Sequence, residues 1–348
     1  MTDTENREKE FGMDGERSSR FDRLNEYVYR IQQEIGATAA AVYIIQKDKV
    51  VNEWYSGRHS ASPTARRVDE ASQFNVASVR KTYLALAISL MMEKGLIGGI
   101  DDEIIIYLRD CGESAEGVTL RHLLTHTHGL VWKDGMLAKE FKAGEGWAYR
   151  NTGIDLLFRL VHVLTGMTLS EWLEQELFIP YRFDETGWRT KPHEHMIYNY
   201  YENDPNWVGP NDSPAGDQSN LFVSARELAK WGYLHLKRGR LTGVQAIPEA
   251  VFARVVEHQS PPAHAQEEPR QGMIWWLQHH TPLNQLGERL PSDSYQVLGL
   301  TGCACLVIPR YDAVVVRMYN QLANEAGYDY LSDIREFGNF AGHLLAEG

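Results

Sequence analysis

The chain is poor in cysteine, in basic charge and in long apolar runs, and each shortage excludes something. Three cysteines in 348 residues cannot staple a disulfide scaffold, and no Cys-x-x-Cys pair offers a zinc ribbon. Cys303 and Cys305 lie two apart in a segment of strand composition, so they share a face but are poorly set to bond each other. Small buried thiols are the first reading of them, with a cysteine nucleophile as the alternative. Only 35 Lys and Arg stand against 47 Asp and Glu, a formal charge of −12. With no basic stripe, such a surface repels phosphate backbones and excludes a nucleic-acid partner. The densest apolar run, Leu84 to Met92, is broken by Ser89 and is too short to span a bilayer, so no membrane association is expected. The first residues, MTDTENREKEFGMDGERSSR, are charged and lack the apolar stretch of a signal peptide, which leads us to expect a cytoplasmic protein.

What is present is an ordinary globular composition, 43% hydrophobic, on a chain long enough for a substantial core. Phe21 to Ile35 reads as an amphipathic helix with Leu24, Val28, Ile31 and Ile35 on one face. Thr38 to Gln46 and Val50 to Ser56 read as strands joined across Lys47-Asp48-Lys49. Met273 to His280, Tyr295 to Ile308 and Ala313 to Asn320 also have strand composition, and a terminal helix is expected from about Tyr330 to Leu345. The middle is helical. The helix after Ser78 is apolar nearly all round and should be a buried central one. Thr119, Thr168 with Glu171, and Ser224 with Glu227 carry N-capping signals. Strands at both ends and helices between them predict an α+β fold: one antiparallel sheet built from both termini, flanked by helices, with an inserted helical region. We divide the chain into a loose tail (1–18), a sheet domain (19–82 with 218–348) and a helical insert (83–217), with the site at their junction. The irregular Thr190 to Gly216 segment is a candidate wall over that site.

Three short motifs carry chemistry. In Ser78-Val79-Arg80-Lys81, residues i and i+3 share a helix face, so hydroxyl and amine can meet. A serine hydroxyl needs a base beside it, and lysine serves only if burial or a nearby cation lowers its pKa from about 10.4. The Ser78 N–H, in the first turn, would be an unpaired donor suited to an oxyanion. Next comes Tyr149-Arg150-Asn151, leading into the Ile154 to Leu164 helix. A tyrosine beside a lysine can relay a proton, and Asn151 offers an amide to fix Lys81 or a substrate carbonyl. Tyr201-Glu202-Asn203 is a second Tyr-x-Asn, in the irregular loop. The third is Gly299-Leu300-Thr301-Gly302-Cys303, read as strand where glycines let a substrate lie against the backbone. Each alone admits a plainer reading: a helix-capping serine with a surface lysine, a packed aromatic before a cap, a bulged strand.

In this order the motifs resemble those of class C β-lactamases, DD-peptidases and their esterase relatives, which run Ser-x-x-Lys, Tyr-x-Asn, then Lys/His/Trp-(Thr/Gly)-Gly. Val118 to Leu130 is similar to that family's TLRHLLTHTSGL stretch and Leu221 to Leu228 to its GLVSTARDLA helix start, and the likeness runs from about residue 22 to 340. The resemblance implies a serine hydrolase with Ser78 as nucleophile, Lys81 and Tyr149 as proton carriers, and the Cys303 N–H as second oxyanion donor, beside a substrate strand holding Leu300, Thr301 and Gly302. Where β-lactamases and DD-peptidases place a Lys that holds a substrate carboxylate, this chain has Leu300, which points away from β-lactams and peptidoglycan and toward an esterase of small acyl compounds. An amidase or D-amino-acid peptidase, an acyltransferase and a non-catalytic ligand binder stay open. No cofactor and no metal are expected. His122 and His126 are one helical turn apart, but no third ligand accompanies them, and His193-Glu194-His195 reads as a solvated loop. The partner is a small acyl substrate. The oligomeric state is not legible.

Overall fold

The computed structural model describes residues 18–199, 213–241, 243–262, 267–321 and 327–347. Residues 1–17 of the expected tail, the middle of the Thr190 to Gly216 segment and Tyr201-Glu202-Asn203 lie outside them. In chain order the elements are α1 (Asp22–Glu34), β1 (Ala39–Gln46), β2 (Lys49–Gly57), β3 (Gln73–Asn75), α2 (Arg80–Glu93), α3 (Leu120–Leu124), β4 (Leu130–Lys133) and β5 (Met136–Lys139). There follow α4 (Asn151–Thr165), α5 (Leu169–Leu173), β6 (Thr186–Trp188), β7 (Leu221–Ser224), α6 (Ala225–Leu236), β8 (Arg240–Leu241), β9 (Val244–Gln245) and α7 (Glu249–Val256). The chain ends with β10 (Trp276–Leu277), β11 (Tyr295–Leu298), β12 (Ala304–Ile308), β13 (Ala313–Tyr319) and α8 (Tyr330–Ala346).

The main sheet has the order β10-β11-β12-β13-β1-β2, antiparallel throughout, so strands from both ends of the chain meet at the β13–β1 pair. Every residue of β1 and β13 is buried. Strands covered on both faces read as continuous apolar runs, and here successive side chains feed two cores. Ala40, Val42, Ile44 and Val315 pack under α1 and α8, while Ala41, Tyr43, Ile45, Val314 and Val316 pack under α6 and the helical region. This is the α+β, antiparallel-sheet architecture expected from the sequence.

Beneath α1 and α8, Arg317 Nη1 lies 2.8 Å from Asp333 Oδ2, close as an ion pair though off the line of a hydrogen bond. The Tyr27 and Tyr328 hydroxyls donate to the same carboxylate at 2.7 and 2.6 Å. A buried charge needs this kind of partnering. It ties α1, β13 and α8 together.

Two expected strands come out differently. Tyr295 to Ile308 is not one strand but a hairpin, β11 and β12, around Gly299 to Cys303. The Gly299 N–H bonds the Cys303 carbonyl at 2.8 Å and the Gly302 N–H bonds the Gly299 carbonyl at 2.9 Å. Gly302 has φ +84°, and a Cβ there would come 2.7 Å from the Tyr319 ring. This is a three-residue loop closed by a left-handed glycine, a common way to reverse a strand. Met273 to His280 shrinks to the two residues of β10, because Ile274 takes φ +70° and breaks the extended backbone.

The caps follow the sequence with one change. Thr119 and Thr168 both form reciprocal capping boxes, the first with His122 as the returning side chain. Ser224 accepts from the Glu227 N–H, but the Glu227 carboxylate turns to the Thr186 hydroxyl instead of returning to the cap.

On α6, His235 is enclosed by Trp231, Phe252 and Trp275, and burial pushes it from its ordinary 6.5 down to about 3. An unfolded chain takes up this proton below pH 6.5, whereas the folded chain refuses it until about pH 3. The stability from a neutral His235 is therefore present above pH 6.5 and drains as pH falls. We expect His235→Phe to flatten the acid fall of unfolding free energy between pH 6.5 and about 4, by up to ~1 kcal/mol per pH unit in urea titrations.

Candidate active site

The site is assembled around the start of α2. β3 pairs with β7 and ends at Asn75, from which the chain turns through a short 3-10 segment, Ala77–Val79, into α2. Ala77 has φ +45°, a left-handed conformation that costs a non-glycine residue about 1 kcal/mol. Its N–H is held by the Asn75 side-chain oxygen at 2.8 Å. The turn leaves Ser78 partly exposed while its neighbours Ala77 and Val79 are buried.

One turn on, Lys81 is 3% exposed. α2 is apolar on all sides and passes through the centre of the larger core, so the ammonium has almost no water. Lys81 Nζ donates to Ser78 Oγ at 3.0 Å and to Tyr149 Oη at 2.8 Å. Burial holds Lys81 below its usual lysine range. The Tyr149 oxygen opposes that shift, and the neighbouring Arg80 guanidinium adds to it. Arg80 is itself 6% exposed and packs over the Phe158 ring, with Nε donating to the Ser219 hydroxyl at 3.3 Å. Sequence reasoning passed over Arg80, although a charged residue on an otherwise apolar helix was a visible signal.

Tyr149 lies in the irregular stretch before α4 and is 40% exposed. Its ring meets His126 at 4.5 Å and Trp276 at 6.3 Å between centroids. Trp147 touches both of these neighbours. Burial first, then the charge of Lys81, keeps His126 well below its ordinary value, so this ring is neutral. The aromatic group around Tyr149 was not foreseen, because its members come from three distant segments.

The five remaining expected site residues are placed as follows. Thr301 is fully buried, and its hydroxyl donates to the Asn75 carbonyl at 2.8 Å. Cys303 is also fully buried, its thiol directed at the Asn75 and Tyr319 carbonyls. These two side chains brace the hairpin against the end of β3 rather than line a cleft. Gly302 serves the turn. Leu300 stands at the hairpin tip, 58% exposed. The backbone that reaches the turn before the serine is that of Gly299, where a Cβ would come 2.3 Å from the Val76 carbonyl oxygen. Asn151 opens α4 and is exposed, and its amide makes no hydrogen bond to Lys81, so the role of fixing that amine does not hold.

Among the described residues no three His, Cys, Asp or Glu side chains converge as a metal site would require. His122 spends Nδ1 on the Thr119 cap, and His128 Nδ1 accepts the Leu130 N–H at 2.8 Å. No single helix among the described residues is long and apolar enough to cross a membrane.

Comparison with known proteins gives the family and the fold. The chain is 41% identical over 324 residues to an uncharacterized protein of Alkalihalophilus pseudofirmus, covering 92% of this chain and 96% of that one. Among solved structures it superposes on a class C beta-lactamase with a TM-score of 0.76 at 16% identity, over 92% of this chain and 96% of the other. EstCE1, a hydrolase with promiscuous acyltransferase activity, gives a TM-score of 0.72 at 16% identity, over 92% and 98%. The family profile described as Beta-lactamase matches residues 24–336, nearly the whole of the fold described above, and the chain belongs to the beta-lactamase family of serine hydrolases.

Proposed function

We propose that this protein works through an acyl-enzyme on Ser78 and acts as an esterase on small, neutral acyl compounds. The observation that carries the reading is the contact chain from Ser78 Oγ through Lys81 Nζ to Tyr149 Oη, at 3.0 and 2.8 Å. Ser78 Oγ attacks the carbonyl carbon and its proton passes to the neutral Lys81 amine. As the carbon–oxygen bond to the leaving group breaks, Tyr149 gives that oxygen its proton and is refilled from Lys81. Water then attacks the acyl carbon and gives a proton to the pair, and as the bond from that carbon to Ser78 Oγ breaks the pair passes the proton to Oγ and the acid leaves.

The oxyanion needs two donors. The Ser78 N–H, in the first turn, has no partner within the helix. For the second, the hairpin supports Leu300 in place of Cys303. The Gly299 carbonyl accepts the Gly302 N–H on the β12 side, and across the trans peptide joining Gly299 to Leu300 the N–H points the opposite way. The Leu300 N–H therefore faces the other edge, which β10 covers only at Tyr295 and Gln296. Asn151 remains available to a substrate carbonyl.

Charge supports a neutral ester over a substrate with a charged terminus. β11 and its turn carry no basic side chain, and Arg150 is paired with Glu140 at 2.9 Å. Transfer of the acyl group to an alcohol or amine instead of water is the second reading, favoured by the likeness to EstCE1.

Intact-protein mass after brief exposure to a fluorophosphonate should show one adduct on the native chain and none on Ser78→Ala. An unlabelled native chain, under conditions that label a known serine hydrolase, would falsify the acyl-enzyme reading. Nitrophenyl esters should then turn over far faster than a matched anilide or a chromogenic cephalosporin, and a competing alcohol in the assay would reveal acyl transfer.

The pH dependence has a definite sign. Lys81 must be neutral to accept the serine proton, so labelling should speed up as pH rises, with a half-point below the ordinary 10.5. Arg80→Gln removes a neighbouring cation and should move that half-point upward. A half-point that stays put in the variant would mean that burial alone sets it.

A further inference from the structure

Tyr149 is the most exposed member of the contact chain and sits on backbone without regular structure. Among the described residues its phenol oxygen has one hydrogen bond, to Lys81 at 2.8 Å. A single bond fixes a distance but leaves both side-chain torsions of a tyrosine soft. The rest of the restraint is aromatic. Trp276 lies nearly parallel to the Tyr149 ring, 19° between planes with centroids 6.3 Å apart, and His126 approaches at 4.5 Å and 38°. Trp276 is 9% exposed and is anchored twice. Its backbone pairs with Gln296 of β11, and its ring meets Trp147, whose indole N–H donates to the buried Gln271 side chain at 3.1 Å.

We propose that Trp276, acting with His126, is a positioning residue that holds the Tyr149 phenol in line to protonate the departing group. This rests on the esterase reading given above and deepens it. In the step concerned, the bond between the tetrahedral carbon and the leaving oxygen breaks and the electron pair stays on oxygen. The Tyr149 proton moves to that oxygen, and the Lys81 ammonium, protonated by Ser78 in the preceding attack, returns a proton to Tyr149. A nitrophenolate leaves as a stable anion and needs little of this help, whereas an alkoxide needs nearly all of it. A misplaced phenol should therefore harm the two kinds of ester unequally. A wall that only supported the fold, or only bound substrate, would harm them alike.

The test compares kcat/KM for a nitrophenyl ester and an ethyl ester of the same short acid, in the native chain, Trp276→Leu and Trp276→Phe. Leucine keeps the site apolar without a ring, and phenylalanine keeps a ring. We expect Trp276→Leu to lower the ethyl ester by about 10-fold or more and the nitrophenyl ester by less than about 3-fold, with Trp276→Phe recovering most of the loss. Fluorophosphonate labelling of Ser78, in which fluoride departs, should stay near the native rate in both variants. Equal losses on the two esters, or no loss on the ethyl ester, would overturn the positioning role while leaving the esterase reading intact. A native chain that neither labels nor cleaves either ester would overturn both.

Discussion

A lysine amine held out of water beside a serine hydroxyl is the constraint around which this protein is arranged. The amine is useful as a base only without its proton, and removing the solvent that would stabilise the ammonium is the direct way to secure that. Lys81 therefore sits on a helix that is apolar on every side. Such a helix is stable only when it is enclosed: α4, α5 and α7 cover part of α2, and the larger core, shared with one face of the main sheet, surrounds the rest. The same enclosure brings in Arg80, buried one residue away and also poor in solvent. Two adjacent buried cations repel each other, so Arg80 adds to the lowering of the Lys81 pKa that burial begins.

The sheet supplies what the helix cannot. A hydroxyl and an amine on one helix face make a nucleophile and a base, but an oxyanion also needs a donor approaching from outside. The β11–β12 hairpin brings its backbone against the turn before Ser78. Thr301 and Cys303 both bond the Asn75 carbonyl, three residues ahead of Ser78, so the hairpin and that serine share one anchor. Gly299 has to be glycine because the Val76 carbonyl occupies the space of a side chain. Side chains that resembled a binding surface in the sequence are therefore the fasteners of that surface.

Local signals were legible, as was one antiparallel sheet shared by both ends of the chain, while most other long-range contacts were not. The Ser78–Lys81 spacing, the apolar α2, the capping threonines 119 and 168 and the β1–β2 hairpin each depend on residues within a few positions of one another, and each has its place in the structure. The hairpin inside Tyr295 to Ile308 escaped notice because its turn, Leu300-Thr301-Gly302, lacks the Asn-Gly or Asp-Gly pair that usually marks one. Its reversal is fixed instead by Gly302 meeting the Tyr319 ring from a neighbouring strand. The aromatic group around Tyr149 was hidden for the same reason: His126, Trp147 and Trp276 are brought together only by the assembled sheet and the packed helical region.

Backbone strain is present at the site as well as in turns elsewhere. Three non-glycine residues beside the site adopt left-handed conformations: Ala77 at φ +45°, His126 at φ +56° and Ile274 at φ +70°. The last is the costliest, since a β-branched side chain tolerates this region worst. Each lies at or just before a residue that must be aimed. Ala77 precedes Ser78, His126 itself packs at a tilt against Tyr149, and Ile274 precedes Trp275 and Trp276. Each is also clamped by a bond to another segment or side chain. The Asn75 side chain takes the Ala77 N–H, the His126 carbonyl takes the Ala148 N–H, and the Leu124 carbonyl takes the Ile274 N–H at 2.8 Å. Strain of about 1–3 kcal/mol per residue survives only where surrounding contacts over-determine the backbone. Six further non-glycine residues with positive φ lie elsewhere among the described residues, but on the three segments that present the serine, the phenol and its aromatic neighbour the strain falls where side chains are aimed.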